Sequence, residues 1–178
     1  MKRIFLKLSL VFFVFFASCK DNSNEGKVMM SNEISPDFKI NLSVVFKVNG
    51  YIHVYYNENN NLHFTEEKSI WIPVKASEFT QESIATLPKG QYPKQIRLDF
   101  TTKSKQQKVV VKRIQFSYQD KTFVVSDKRI FKYFRGDKTN TKVDIIGGVL
   151  TATKPESKAV SLYPNPDNVE EVLNELKK

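Results

Sequence analysis

The chain has 178 residues, 28 basic against 19 acidic, a formal net charge of +9, two histidines and a single cysteine. One cysteine excludes an internal disulfide, and two histidines exclude a three-histidine zinc site. The length suits one domain with a real core.

Residues 1–18 have the three parts of a secretory signal. Lys2, Arg3 and Lys7 are its positive region, and Ile4 to Phe16 is apolar apart from Lys7 and Ser9. The unbroken apolar run, Leu10 to Ala17, is far short of the roughly 20 residues a spanning helix needs. Ala17 and Ser18 are the small residues a signal peptidase requires. From Lys20 to Pro36 the chain is polar, with too little apolar surface to offset ordering entropy, and reads as a tether.

From Phe38 to Val48 the pattern is strand-like. Phe38, Ile40, Leu42, Val44, Phe46 and Val48 alternate with Lys39, Asn41, Ser43, Val45 and Lys47, giving one buried and one wet face. Asn49-Gly50 predicts a type I′ hairpin turn into a return strand, Tyr51 to Tyr56. Further strands are expected at Leu62 to Phe64, at Ser69 to Val74 with Pro73 marking an edge, and around Ser83 to Leu87. Gln95 to Phe100 follows, with Ile96, Leu98 and Phe100 inward and Arg97 and Asp99 outward. Val109 to Tyr118 and Thr122 to Val125 predict a hairpin across Gln119-Asp120. A short helix is expected over 127–135, capped by Ser126 and closed by Gly136. Weaker strands at Val143 to Ile146 and Val149 to Thr153 precede a C-terminal helix. Val169, Val172, Leu173 and Leu176 form its apolar stripe, and Asp167 with Glu170 has capping-box spacing. Many short strands between turns predict a mainly β fold, an antiparallel β-sandwich of jelly-roll-like form over residues 37–178.

Two resemblances add to this. Phe16-Ala17-Ser18-Cys19 resembles the lipobox of bacterial lipoproteins of the Bacteroidetes type, which implies removal of residues 1–18 and lipidation of Cys19. The mature chain would then be 160 residues, with 25 basic against 19 acidic and a net charge of +6. It would be held to a membrane by its lipid anchor, in the cell envelope at the outer membrane, on the periplasmic or surface face. Lys20-Asp21 partly resembles the surface-export signal of such lipoproteins, from which Asn22 departs. The second resemblance runs from about Phe38 to Val125. Ile96-Arg97-Leu98-Asp99-Phe100, a polar turn, and Val109 to Phe116 are similar to the jelly-roll domains of carbohydrate-binding modules. It transfers no binding residue.

Candidate chemistry is sparse. No G-x-S-x-G, Gly-rich phosphate loop or H-x-x-x-H spacing occurs. Glu66, Glu67 and Asp99 offer carboxylates of the glycosidase kind, but charges at strand ends are far commoner as solvated groups. Asn57 to Asn61 carries too little charge for a calcium loop, so neither metal nor cofactor is expected. Aromatic residues are the stronger lead. Tyr51, His53 and Tyr55 share the face of a strand opposite Ile52 and Val54, and with Trp71 they are a candidate ligand-binding platform. Lys103, Lys105, Lys108, Lys112 and Arg113 are a candidate polyanion contact, or else a charged edge that blocks strand-to-strand aggregation. An exported chain argues against nucleic acid despite the basic balance. The expectation is a non-catalytic, lipid-anchored binding module for glycan or another surface polymer. The alternative is an accessory envelope lipoprotein that contacts a protein partner and takes no small ligand.

Overall fold

The structure, a computed structural model, describes residues 37–102, 108–157 and 159–178. The signal segment 1–18, the tether 19–36 with Cys19, and Lys103 and Lys105 lie outside the described residues. The strands are β1 (Lys39–Phe46), β2 (Gly50–Asn57), β3 (Ser69–Val74), β4 (Gln81–Thr86), β5 (Gln95–Thr102), β6 (Val109–Tyr118), β7 (Lys121–Ser126), β8 (Phe134–Gly136), β9 (Thr141–Asp144), β10 (Val149–Ala152) and β11 (Ala159–Pro164). The helices are α1 (Ile130–Tyr133) and α2 (Pro166–Lys177).

The strands form two antiparallel sheets, a β-sandwich. The first has the order β4-β1-β6-β10-β9, with β7 also on β6; the second has the order β3-β2-β5-β11-β8. On one edge of β6, β10 pairs with Val109 and Val110 while β7 pairs with Arg113 to Tyr118. The inward half of the alternation read around β1 holds, with Phe38, Ile40, Leu42, Val44 and Phe46 fully buried, but Ser43 and Val45 on the face expected to be wet are buried as well. Facing them from the second sheet are Ile52, Val54, Ile96, Leu98 and Phe100. Phe46 meets Phe100 across the sandwich with ring centroids 6.2 Å apart. Each such side chain contributes about 1.5–3 kcal/mol of burial. Helix α2 adds Val169, Val172, Leu173 and Leu176 to the same core.

Asn49-Gly50 is not a hairpin turn. β1 pairs with β4 and β6 in one sheet, β2 with β3 and β5 in the other, so residues 47–49 carry the chain between sheets. Gly50 opens β2, and no positive φ is found there among the described residues. Its small size is needed for close approach instead: a Cβ would lie 2.3 Å from the Thr101 carbonyl oxygen and 3.1 Å from the Phe46 ring. Asn49 accepts the Ala76 amide proton on its side-chain oxygen at 2.8 Å, which ties the crossover to a neighbouring loop.

The helix expected over 127–135 is only a 3-10 turn, Asp127–Arg129, followed by the four residues of α1. Ser126 makes no side-chain cap. Phe134 then leaves helical geometry to begin β8, where it pairs with Pro164 and enters the core, a gain the helix could not offer. Leu62 to Phe64 is not a strand. Helix α2 starts on Pro166 with Asn165 at its N-cap and no side-chain cap bond, so the Asp167–Glu170 box is not its start; proline suits the first helical position. The amides of Asn165 and Asn168 each donate to the Lys132 carbonyl at 2.8 Å, satisfying the end of α1.

Candidate functional site

The outer face of the second sheet carries the most concentrated chemistry. Because Ile52, Val54 and Tyr56 turn into the core, Tyr51, His53 and Tyr55 turn outward. Register places Trp71 of β3 and Asp99 of β5 on either side of His53. It places Arg97 beside Tyr55, and Arg135 of β8 opposite Tyr163 of β11. The result is a ladder that crosses the sheet from β3 to β8, with Tyr51, His53 and Tyr55 set along β2 within it.

The ladder starts at Tyr51, whose ring meets Trp71 edge-on at 5.9 Å. Trp71 stacks on His53 at 3.7 Å with 22° between planes, and His53 meets Tyr55 at 3.9 Å. The Arg97 guanidinium lies 4.9 Å from the Tyr55 ring centre and 4.6 Å from that of Tyr163. Arg135 continues the series at 5.6 Å from Tyr163. Phe64, from the loop before β3, touches both Tyr55 and Tyr163. Four inter-strand steps of about 4.8 Å make the ladder about 19 Å long, the length of a short oligosaccharide. Ring-on-ring and cation-on-ring contacts of this kind each add about 0.5–1.5 kcal/mol and hold the rings in fixed orientations.

Polar groups are fixed within this frame. Glu66, on the exposed 3-10 turn Glu66–Lys68, accepts the Trp71 indole N–H at 3.0 Å and the Tyr55 hydroxyl at 3.1 Å. The Trp71 bond, with the Tyr55 bond beside it, holds its carboxyl below the usual range. Burial and the Glu66 carboxylate push the Tyr55 hydroxyl up to about 12. Arg97 donates twice to Asp99, at 2.9 and 2.6 Å, a bidentate pair on one strand. Burial opposes the Arg97 charge, but the Asp99 bond and charge, together with Tyr163 and Tyr55, outweigh it and raise its basicity. His53 is only 2% exposed, and burial lowers its pKa against the pull of Glu66 and Asp99. Its Nε2 lies 3.4 Å from Glu66 without hydrogen-bond geometry. A neutral imidazole in a ring stack fits this better than an ion pair.

A scan against protein-family models and a search of curated proteins return no match to this chain. The site is therefore read from its own residues.

Of the expected platform, Tyr51, Tyr55 and Trp71 come together, with Trp71 49% exposed and the tyrosines half-buried. His53 is not on solvent as the strand pattern suggested; its neighbours' rings cover it. Of the basic cluster, Lys108 and Lys112 are exposed, and Lys112 marks a register shift where β6 passes β1. Arg113 lies on the outer face of the other sheet and donates to Ser43 and Glu82, both at 2.9 Å, so it is not a free cation. Asn57 closes its own turn through Asn61 and His63. Among the described residues no group of three or more His, Cys, Asp or Glu side chains could hold a metal, and no helix is long and apolar enough to cross a membrane. Sequence reasoning missed Tyr163, Phe64 and Arg135. Arg97 and Asp99 were readable as outward residues two apart on one strand, which is enough to expect their pairing.

Proposed function

We propose that this chain is a lipid-anchored lipoprotein of the cell envelope whose second-sheet face binds a glycan without catalysis. The observation that carries this reading is Trp71, an exposed indole fixed by the stack on His53 and the bond to Glu66. Sugars stack their C–H faces on such rings, and a ring already held in place loses little freedom on binding. Glu66 and Arg97 stand among the rings as hydrogen-bonding groups for hydroxyls. The non-catalytic part of the reading is supported by the same geometry. His53 lies under its neighbours, and the Asp99 carboxylate is occupied by Arg97. The lipidated part rests on the lipobox and the lone Cys19.

The outer face of the first sheet gives less support to a protein partner. On the outer face of the first sheet, Ile84 and Val124 stand at opposite ends of a row with polar Asn41 and Gln115 between them.

Glycan-array binding of the purified chain, repeated with Trp71→Ala, tests the binding half. The expected result is weak binding that falls at least tenfold in the variant; binding unaffected by the substitution overturns it. For the anchor, Cys19→Ser should abolish incorporation of labelled palmitate and release the protein from membranes. Equal labelling in the variant would show that Cys19 is not the lipid site.

A further inference from the structure

We propose that the glycan taken by this face is acidic, with the carboxylate of one ring held against Arg135 and Lys138 at the β8 edge. This rests on the glycan reading above and assigns the chemical class of its ligand.

Charge is sorted along the ladder. At the β3 end the one ionised group within the ladder is Glu66, which carries Trp71 and Tyr55 as donors. In the middle, Arg97 and Asp99 cancel each other through two hydrogen bonds. At the β8 end, Arg135 and Lys138 are both exposed. Among the described residues neither has a carboxylate within ion-pair distance. Asp137 lies between them, but one of its oxygens is taken by the Thr139 amide N–H and hydroxyl, each at 2.7 Å. Against the opposing effect of burial, the Thr139 bonds and the neighbouring Arg97 and Arg135 keep Asp137 ionised, so two cations stand against one full anion and this end keeps a single net positive charge.

The shape agrees with the charge. Arg135, Asp137, Lys138 and Tyr163 line a cavity of about 430 Å³, within the range of small-ligand sites. The Tyr163 ring forms part of its wall, with the Arg97 guanidinium 4.6 Å and the Arg135 guanidinium 5.6 Å from its centre. A sugar ring seated beside Tyr163 would bring a carboxylate on its rim within reach of a planar guanidinium and a mobile ammonium. Such charge-assisted bonds are about twice as strong as neutral ones. The same ring moved to the Trp71 end would meet the Glu66 carboxylate instead. The face thus favours acidic rings at one end and neutral rings at the other, which fixes the direction of the bound chain.

The test uses the full chain in detergent and three uronate hexasaccharides: galacturonate, mannuronate, and alternating glucuronate and N-acetylglucosamine. Each is paired with its carboxyl-reduced counterpart, which keeps the ring faces and removes the charge. The expected result is at least one pair in which the acidic form binds tenfold or more tightly. That difference should shrink as salt rises, and the double variant Arg135→Gln with Lys138→Gln should bring the two forms to the same affinity. If reduced forms bind as well as or better than acidic ones, the charge assignment is overturned while glycan binding stands. A preference that survives in the double variant overturns the assignment to Arg135 and Lys138. Binding of none of the six probes overturns this inference and the glycan reading with it.

Discussion

The two outer faces of the sandwich are built from the same parts and end in different states. Each carries an arginine joined to a carboxylate. On the first sheet Arg113 reaches from β6 across β1 to Glu82 of β4, with Ser43 bridging between them at 2.9 Å from Arg113 and 2.5 Å from Glu82. Gln115 and Ser117 extend the network along β6. On the second sheet Arg97 holds Asp99 on its own strand, and tyrosine rings flank the guanidinium. Apart from the Asn41 Oδ1, which has no partner, the first face pairs its polar groups with other polar groups and leaves the Arg113–Glu82 pair near water. The second surrounds them with rings, so each ionic contact operates in a less polar medium and counts for more. Hydroxyl and amide side chains give a solvated surface, whereas rings on adjacent strands give a shaped one.

The core beneath the two faces is where the largest effect is expected. Phe100→Ala removes the ring that meets Phe46 between the sheets, and should cost about 3–5 kcal/mol in denaturant unfolding. Both faces should be lost in one transition; separate transitions would show that the sheets are stable independently. A sharper contrast comes from paired substitutions. Arg97→Met leaves Asp99, which is 8% exposed, without its partner and should cost about 3 kcal/mol. Arg113→Met leaves a Glu82 side chain that is half exposed and should cost about 1 kcal/mol or less. Equal costs would mean that the rings add nothing to the buried pair.

The smallest expected effect is a pH dependence confined to the ringed face. His53 is held below its ordinary 6.5 chiefly by burial, with Glu66 and Asp99 opposing that shift and Arg97 reinforcing it. The unfolded chain therefore binds more protons than the folded one just below pH 6.5. Stability should be complete above that pH and fall as pH drops through 6.5 towards the folded value. His53→Phe keeps a ring in the stack and should flatten this part of the curve. Any fall that remains should belong to carboxyls held below the usual range, Glu66, Glu67, Glu82 and Asp137 among them, which lose their contribution only at lower pH. An unchanged slope near pH 6 in the variant would clear His53 of the effect.

The elements easiest to read in the sequence were those whose core-facing apolar residues recur at a regular spacing. β1, β5, the β6–β7 hairpin and the stripe of α2 were all legible from alternation or helical spacing. The partners of those elements were not. Asn49-Gly50 has hairpin chemistry, yet its neighbours belong to different sheets, because pairing is decided by β4, β6, β3 and β5 from elsewhere in the chain. β8 and β11 are short and follow no isolated pattern, so Arg135 and Tyr163 had no face until the sheet supplied one. The same holds for His53. Its strand pointed it outward correctly, but only the neighbouring strands could place Trp71 and Tyr55 over it.

The position of β11 bears on how the molecule comes together. It lies between β5 and β8, joined to β5 by Ala159 to Leu162 and to β8 by Leu162 to Pro164. Until residues 159–164 are available, β5 has a bare edge and β8 has no strand beside it in its sheet. Tyr163 and Arg135 are then separate from Tyr55 and Arg97. Of the two outer faces, the ringed one is thus completed later as the chain is made from its N-terminus, while the network around Arg113 uses strands that are all in hand by Tyr118. Sheets closed by such distant segments form slowly and expose their edges meanwhile. An incomplete chain would offer β5 as a template for other strands, and a complete one would cover it with β11.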